Sequence, residues 1–273
     1  MIQSVKPQNI FKRCEKKYLL GREQYDRLLP LLQTKMTQDD YGVHTICNIY
    51  FDTPQYDLIR TSIEKPVYKE KLRLRSYGVP GADDKVFIEL KKKYKGVVYK
   101  RRVSVSLKEA ADYFETGKHP ETDSHVLREI DWFQSMYHTA PKIFIAYERC
   151  AYFSDEDFNL RVTFDQGIRF RKTNLDLSFG DWGLQLLQSG QVLMEIKISV
   201  AMPLWMSRML SELEIYPASF SKYGVCYKDY LIDDMMSHYG TGPSTSNQAV
   251  VTPSVASRHR DYKTTHQGGG LSA

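Results

Sequence analysis

Hydrophobic and polar residues alternate along most of the chain. In YKEKLRLRSYG, Tyr68 to Gly78, the residues Lys69, Lys71, Arg73 and Arg75 share one face of an extended chain, and Leu72 and Leu74 share the other with Glu70 and Ser76. Successive side chains of a strand point to opposite faces, so the stretch predicts a strand with one apolar side and one cationic side. The same split recurs. Ile49 and Phe51 oppose Asn48, Tyr50 and Asp52; Val86, Ile88 and Leu90 oppose Phe87, Glu89, Lys91 and Lys93. Tyr99, Val103 and Val105 oppose Lys100, Arg102 and Ser104, with Arg101 the exception on the apolar side. Further on, Ile145, Tyr147 and Arg149 share a face; Leu160, Val162 and Phe164 oppose Arg161, Thr163 and Asp165. Val192, Met194, Ile196 and Ile198 oppose Leu193, Glu195 and Lys197. The turn residues VPGADD between the strands at Tyr68 and Lys85 predict a hairpin.

A helical period interrupts these strands in a few places. REQYDRLLPLLQ predicts a helix bent or broken at Pro30, and Leu107 to Thr116 a helix stopped by Gly117. Val126, Ile130, Phe133 and Met136 fall at helical spacing. Pro203 suits the first turn of another helix, and a last one is expected to start near Ser219 or Ser221. From about Gly240 the composition turns to Gly, Ser, Thr and Pro. This divides the chain into a folded unit, residues 1–235, and a tail, residues 236–273, expected to be disordered.

The 38 Lys and Arg against 33 Asp and Glu give a formal charge of +5, too modest for a general coat for nucleic acid, so local arrangement must carry any case for anion binding. Cys14, Cys47, Cys150 and Cys226 show no zinc-ligand spacing and read as reduced thiols. The first residues lack the apolar core of a signal peptide and no run reaches the length of a membrane span, so a cytoplasmic location is expected.

One cationic strand face is ordinarily a wet one. Recurrence changes this, because helices that cover the aliphatic faces force the charged faces to look the other way. A sheet so disposed, closed into a barrel, makes a polar tunnel. Unpaired enclosed cations cost several kcal/mol each unless water or a polyanion fills the space, and a chain of phosphates is the natural filling.

FKRCEKKY, NIYFDT, YKEKLRLRSYG, VFIELK, YKRRV, YERCAY, LRVTFD, LMEIK and FSKYG, in that order, resemble the catalytic domain of VTC-type polyphosphate polymerases, within the CYTH or triphosphate tunnel superfamily. The resemblance runs from about Ile10 to Leu231. It implies an α+β fold, with a closed antiparallel β-barrel tunnel and helices packed outside. It also implies synthesis of polyphosphate from the γ-phosphate of ATP with Mn2+ or Mg2+. By this resemblance Arg73, Arg75, Arg149, Arg161 and Lys222 are the expected catalytic cations, and Lys17, Lys91, Lys100, Arg102, Tyr147 and Lys197 the expected substrate contacts. The register of Lys100 and Arg102 is open by one residue either way. Glu195 matches the metal-binding glutamate; its alternative is a structural ion pair with Lys197 or another tunnel cation. Glu15 and Glu89 are weaker metal candidates. Where related triphosphatases carry ExExK, this chain has Arg13, Glu15 and Lys17, which weakens a two-metal hydrolase.

The expected partners are ATP and inorganic polyphosphate, not nucleic acid; if the product crosses a membrane, another protein is expected to provide the channel. Three other readings compete: a triphosphate hydrolase on the same scaffold, a noncatalytic polyanion sensor, and a module for single-stranded nucleic acid built on the 19 tyrosines.

Overall fold

The computed structural model describes residues 14–122, 124–157, 159–198 and 201–232. The expected tail, residues 236–273, lies outside the described residues, as does Arg13. A single antiparallel sheet forms the body. Its path runs β1 (Cys14–Leu20), β10 (Val192–Ile198), β8 (Arg161–Arg171), β7 (Ala140–Ser154), β3 (His44–Asp52), β4 (Tyr68–Tyr77), β5 (Lys85–Tyr94) and β6 (Val97–Ser106). Two short strands, β2 (Met36–Gln38) and β9 (Leu184–Gln185), add to β7 and β8.

The outer face is covered in two parts. Helices α3 (Leu107–Thr116) and α4 (His125–Tyr137) lay Ala110, Ile130 and Phe133 on the aliphatic residues of β4, β5 and β6, among them Leu72, Leu74, Ile88 and Val103. Helices α1 (Arg22–Gln33) and α5 (Leu204–Glu212) lay Leu28, Leu32, Met206 and Leu210 on Tyr18, Val162, Phe164 and Met194. Burial of this apolar area, at roughly 25 cal/mol per Å2, is what holds the polar face inward. Helix α3 has both ends fixed as its sequence predicts. The Ser106 hydroxyl accepts from the Glu109 amide at 3.2 Å, the Glu109 carboxylate accepts from the Ser106 amide at 2.8 Å, and Gly117 closes the helix at φ 75°.

Several expectations are corrected. The sheet is not closed: β1 and β6 end its path, and no ladder joins them among the described residues. Side chains rather than a backbone ladder reach across the gap: besides burial, Lys91 of β5 is influenced by Glu15 of β1, which favours its charged form, and by Arg73 and Lys17, which disfavour it. The helices are not all outside either. Helix α6 (Lys222–Cys226) and the short π-helix after it, Tyr227–Leu231, put Tyr223, Cys226, Tyr227 and Leu231 against Ile143, Ile145, Phe170 and Leu193 on the concave face. At that end the inward positions are aliphatic, so an apolar plug can sit there. Helix α1 runs unbroken through Pro30, which lies on its exposed side, where water can take the carbonyl that a missing amide leaves free. In α4 the buried set is Leu127, Ile130 and Phe133, while Met136 is largely exposed.

Helix α2 (Asp57–Ile63) is too short to show a period in the sequence. The buried Asp52 carboxylate organises its start, accepting from the amides of Thr53 at 2.8 Å, Leu58 at 2.9 Å and Ile59 at 3.0 Å. It also accepts from the Tyr223 hydroxyl at 2.9 Å, which ties α2 to α6. All four cysteines are free. Among the described residues no helix is long and apolar enough to cross a membrane.

Phe133 is wholly enclosed beneath α4. Phe133→Ala is expected to lower the unfolding free energy by about 3–5 kcal/mol in a urea titration, through lost transfer energy and the cavity left behind.

Candidate functional site

The concave face encloses a cavity of about 350 Å3. Strand β4 lines it with Lys71, Arg73 and Arg75, β5 with Lys91, β6 with Lys100, and β7 with Tyr147 and Arg149. Strand β10 adds Glu195 and Lys197, β1 adds Glu15 and Lys17, and α6 with its cap adds Ser221, Lys222 and Tyr223. Register explains the convergence. Lys71, Lys91 and Lys100 are direct cross-strand partners in one row, and Lys17 stands opposite Glu195. A slip of one residue would send any of these side chains to the other face.

Two buried carboxylates stand behind the wall. Glu89 accepts from Arg73 Nε at 2.7 Å and pairs with Arg73 Nη2 at 2.6 Å and Lys100 Nζ at 2.5 Å. Burial pushes its carboxyl up, but Arg73, Arg75 and Lys100 outweigh that and bring it down to about 2. Asp165, fully buried, accepts from Arg149 through Nε at 2.6 Å and Nη2 at 2.7 Å, and from Lys222 Nζ at 2.5 Å. Burial opposes its ionisation too, and again the cations prevail, Lys222 first and Arg149 next.

The remaining contacts fix the arginine planes. Arg75 donates to the Asn48 carboxamide oxygen at 2.9 Å and to the Tyr147 hydroxyl at 3.2 Å, and Arg73 donates to the Tyr50 hydroxyl at 3.3 Å. Tyr50 in turn stacks on Tyr223 with centroids 5.2 Å apart. Lys222 lies 4.3 Å from the Tyr147 ring centre. These guanidinium and ammonium groups are therefore oriented before any ligand arrives.

The wall carries nine Lys and Arg side chains but only two carboxylates, Glu15 and Glu195. Such a surplus is held at a cost, and the lysines register it. Burial, then Lys69, Lys91 and Lys17, push the Lys71 ammonium down to about 7. Its hydrogen bond in the cavity goes to the uncharged Ser221 hydroxyl at 3.4 Å. Burial likewise pushes Lys100 down to about 8 against the pull of Glu89. An entering anion with several charges would relieve this strain along its whole length.

Two of the arginines expected at the site lie outside the cavity. Arg161, at the start of β8, faces Asp39 at 3.8 Å and stacks over the Phe153 ring at 4.7 Å. Arg102, one inward position beyond Lys100 on β6, lies over the Phe87 ring at 4.9 Å. Lys69 shares the cationic face of β4 but turns its ammonium to the Ser62 carbonyl at 2.9 Å. The other residues expected at the site, from Glu15 to Lys222, meet in one cavity, except the weaker metal candidate Glu89, which is taken up behind the wall by Arg73 and Lys100. Sequence reasoning names no site role for Lys71, Tyr50, Tyr223, the supporting Asp165 or Ser221, which it offers only as a helix start. Alternation with Arg161 and Thr163 puts Asp165 on the right face, but its partner Lys222 is 57 residues away in sequence.

A model of the VTC domain matches residues 12–230. The chain belongs to the VTC domain family. Among solved structures, similar folds include two proteins named putative adenylyl cyclases. One, from Bacillus halodurans, is 13% identical, with 79% of this chain and 96% of that chain covered and a TM-score of 0.50. The other, from Hippeastrum and described as having a dominant triphosphatase activity, is 17% identical, with 78% of this chain and 94% of that chain covered and a TM-score of 0.47. A comparison with curated proteins finds no match.

A divalent cation in this VTC domain would have to sit among the wall carboxylates. Lys17 Nζ stands between the two, 3.6 Å from Glu15 and 3.1 Å from Glu195, and Glu195 also faces Arg149 and Lys222 at 3.7 Å. Among the described residues no group of three or more His, Cys, Asp or Glu side chains could hold a metal by itself. One or two carboxylates suffice for a cation whose remaining ligands are phosphate oxygens and water, so the donor set fits a metal that enters with its phosphates.

The two low lysines set a pH dependence. Both are cationic below their shifted values and neutral above, so tripolyphosphate affinity is expected to fall about tenfold between pH 6 and pH 9. Binding restores their protons, so calorimetry in buffers of different ionisation enthalpy should record proton uptake near pH 7–8, and Lys71→Met should remove the lower part of it.

Proposed function

We propose that this VTC domain is a polyphosphate polymerase, which transfers the γ-phosphate of ATP to the end of a growing phosphate chain. The observation that carries the reading is the enclosed surplus of oriented cations, among them the buried Lys222 fixed on Asp165. Phosphoryl transfer requires little covalent chemistry of the protein; alignment of donor and acceptor and preorganised positive charge account for most of the rate.

The residues divide the work by chemistry. Arg73, Arg75 and Arg149 present planar donors already held by Glu89, Asn48 and Asp165, which suits them to grip the transferring phosphoryl group. Lys222, tied to Asp165, supplies charge to the same group. Lys71, Lys91 and Lys197 are point charges along which a polymer can advance, beside Lys17 and Lys100, which are paired with Glu195 and Glu89. Glu195, with Glu15 across Lys17, would hold Mn2+ or Mg2+. When bound, that cation would neutralise charge on the phosphate oxygens of the nucleotide.

A feature of the wall favours a chain end over water as acceptor. The terminal oxygens of polyphosphate are already anionic, whereas water must lose a proton. Glu195 is a poor base: burial would raise its carboxyl, but Lys222, Lys17 and Arg149 hold it well below the usual range. Lys71 and Lys100 regain their protons once phosphates enter. The closest alternative, hydrolysis, uses the same cavity and differs in the product.

Incubation of the purified chain with ATP and manganese is expected to give a ladder of phosphate polymers on a gel. Lys222→Met and Glu195→Gln should each slow its appearance by about 100-fold or more. Orthophosphate without a ladder would establish the hydrolase instead, and neither product would leave a binding protein.

A further inference from the structure

The inward faces continue past the cavity, and beyond the cations they turn aromatic. Tyr77 is the next inward residue after Arg75 on β4, Phe87 is the direct cross-strand partner of Arg75, and His44 is the direct partner of Arg149. These rings form a chain. The His44 and Tyr77 centroids are 5.9 Å apart, Tyr77 and Phe87 5.7 Å, and Tyr41 adjoins His44 at 6.1 Å. Tyr77 is 52% exposed and Tyr41 80% exposed, so the strip ends in solvent.

One of the two arginines left out of the cavity lies on this strip, and the other is near it. Arg102 covers the Phe87 ring at 4.9 Å. Arg161 lies over the Phe153 ring at 4.7 Å, its Nε is buried without a hydrogen-bond partner, and Tyr77 exerts a small influence on its charge. Rings and guanidinium planes side by side are how proteins hold a nucleobase without reading its sequence. A hydrophobic core does not leave such rings half in water, and a pure polyphosphate has no use for them.

We propose that this strip, centred on Tyr77 with His44, Phe87 and Arg102, is a stacking platform for the base of a nucleoside triphosphate whose phosphates occupy the cavity. The platform lies one inward residue, roughly 7 Å of strand, beyond Arg75, so base and phosphates would be bound by successive rows of the same strands. The proposal rests on the phosphate reading of the cavity and adds a second subsite to it. It gives the enzyme a means to distinguish the nucleotide donor from the polymer, both of which present phosphates to the same cations.

The test compares a β,γ-imido analogue of ATP with tripolyphosphate, each titrated into the full chain with magnesium. In Tyr77→Ala the ATP analogue should bind about tenfold more weakly, tripolyphosphate should stay within about twofold of wild type, and Tyr77→Phe should restore the analogue. Saturation-transfer NMR on the wild-type chain, which needs no variant, should show saturation passing from the protein to the adenine protons. Equal effects of Tyr77→Ala on both ligands, no effect on either, or unsaturated adenine protons would each overturn the platform while leaving the cavity as a phosphate site. If the wild-type chain binds neither ligand, the phosphate reading fails and the platform with it.

Discussion

Asp165 is the point on which the site depends. It comes from β8, is wholly buried, and accepts at once from Arg149 on β7 and from Lys222 on α6. One carboxylate thus joins the curved sheet to the plug that enters its concave side. Removal of one member of such a buried charged set costs about 3–5 kcal/mol, because the charges left behind have no compensation. The same interaction fixes the direction of two cations that a solvent-exposed Lys or Arg would hold only loosely. Asp52 repeats the device on the other flank, where it fastens Tyr223 and so the residue beside Lys222.

Glu89 plays the corresponding part for β4 and β6. With Asp165 it shows how the fold tolerates so many positive charges: the carboxylates are set behind the wall, where they orient cations, and few are left on it, where they would repel phosphate. Full pairing would have been easier to fold and would have left nothing for a ligand. The low ammonium group of Lys71, whose hydrogen bond in the cavity goes to an uncharged hydroxyl, marks where compensation stops. Electrostatic preorganisation and native-state cost are here the same feature seen with and without the anion.

Much of this is legible in the sequence because a period of two leaves a residue no choice of face. Alternation puts Arg73, Arg75, Arg149 and Glu195 on inward faces, and the resemblance to VTC-type polymerases names them together. The ends of the row are not legible. Arg161 and Arg102 alternate in step with their neighbours, yet the cavity ends before it reaches them, and a one-dimensional pattern has no depth. Closure is hidden for a related reason, since alternation describes the faces of a sheet and says nothing of whether its first and last edges meet. Asp165 to Lys222 and Asp52 to Tyr223 are contacts between segments far apart in sequence, which no local spacing announces. Helix α2 escapes the pattern because its start is set by Asp52 and not by an apolar stripe.

Whether the enclosed cations bind linear phosphate is decided by a crystal of the chain soaked with tripolyphosphate. Phosphate density is expected along the concave cavity, in contact with Arg73, Arg75, Arg149 and Lys222, with Asp165 and Glu89 unmoved behind them. Phosphate bound to the outer face, or a cavity that stays filled with water at saturating ligand, would sink the phosphate reading.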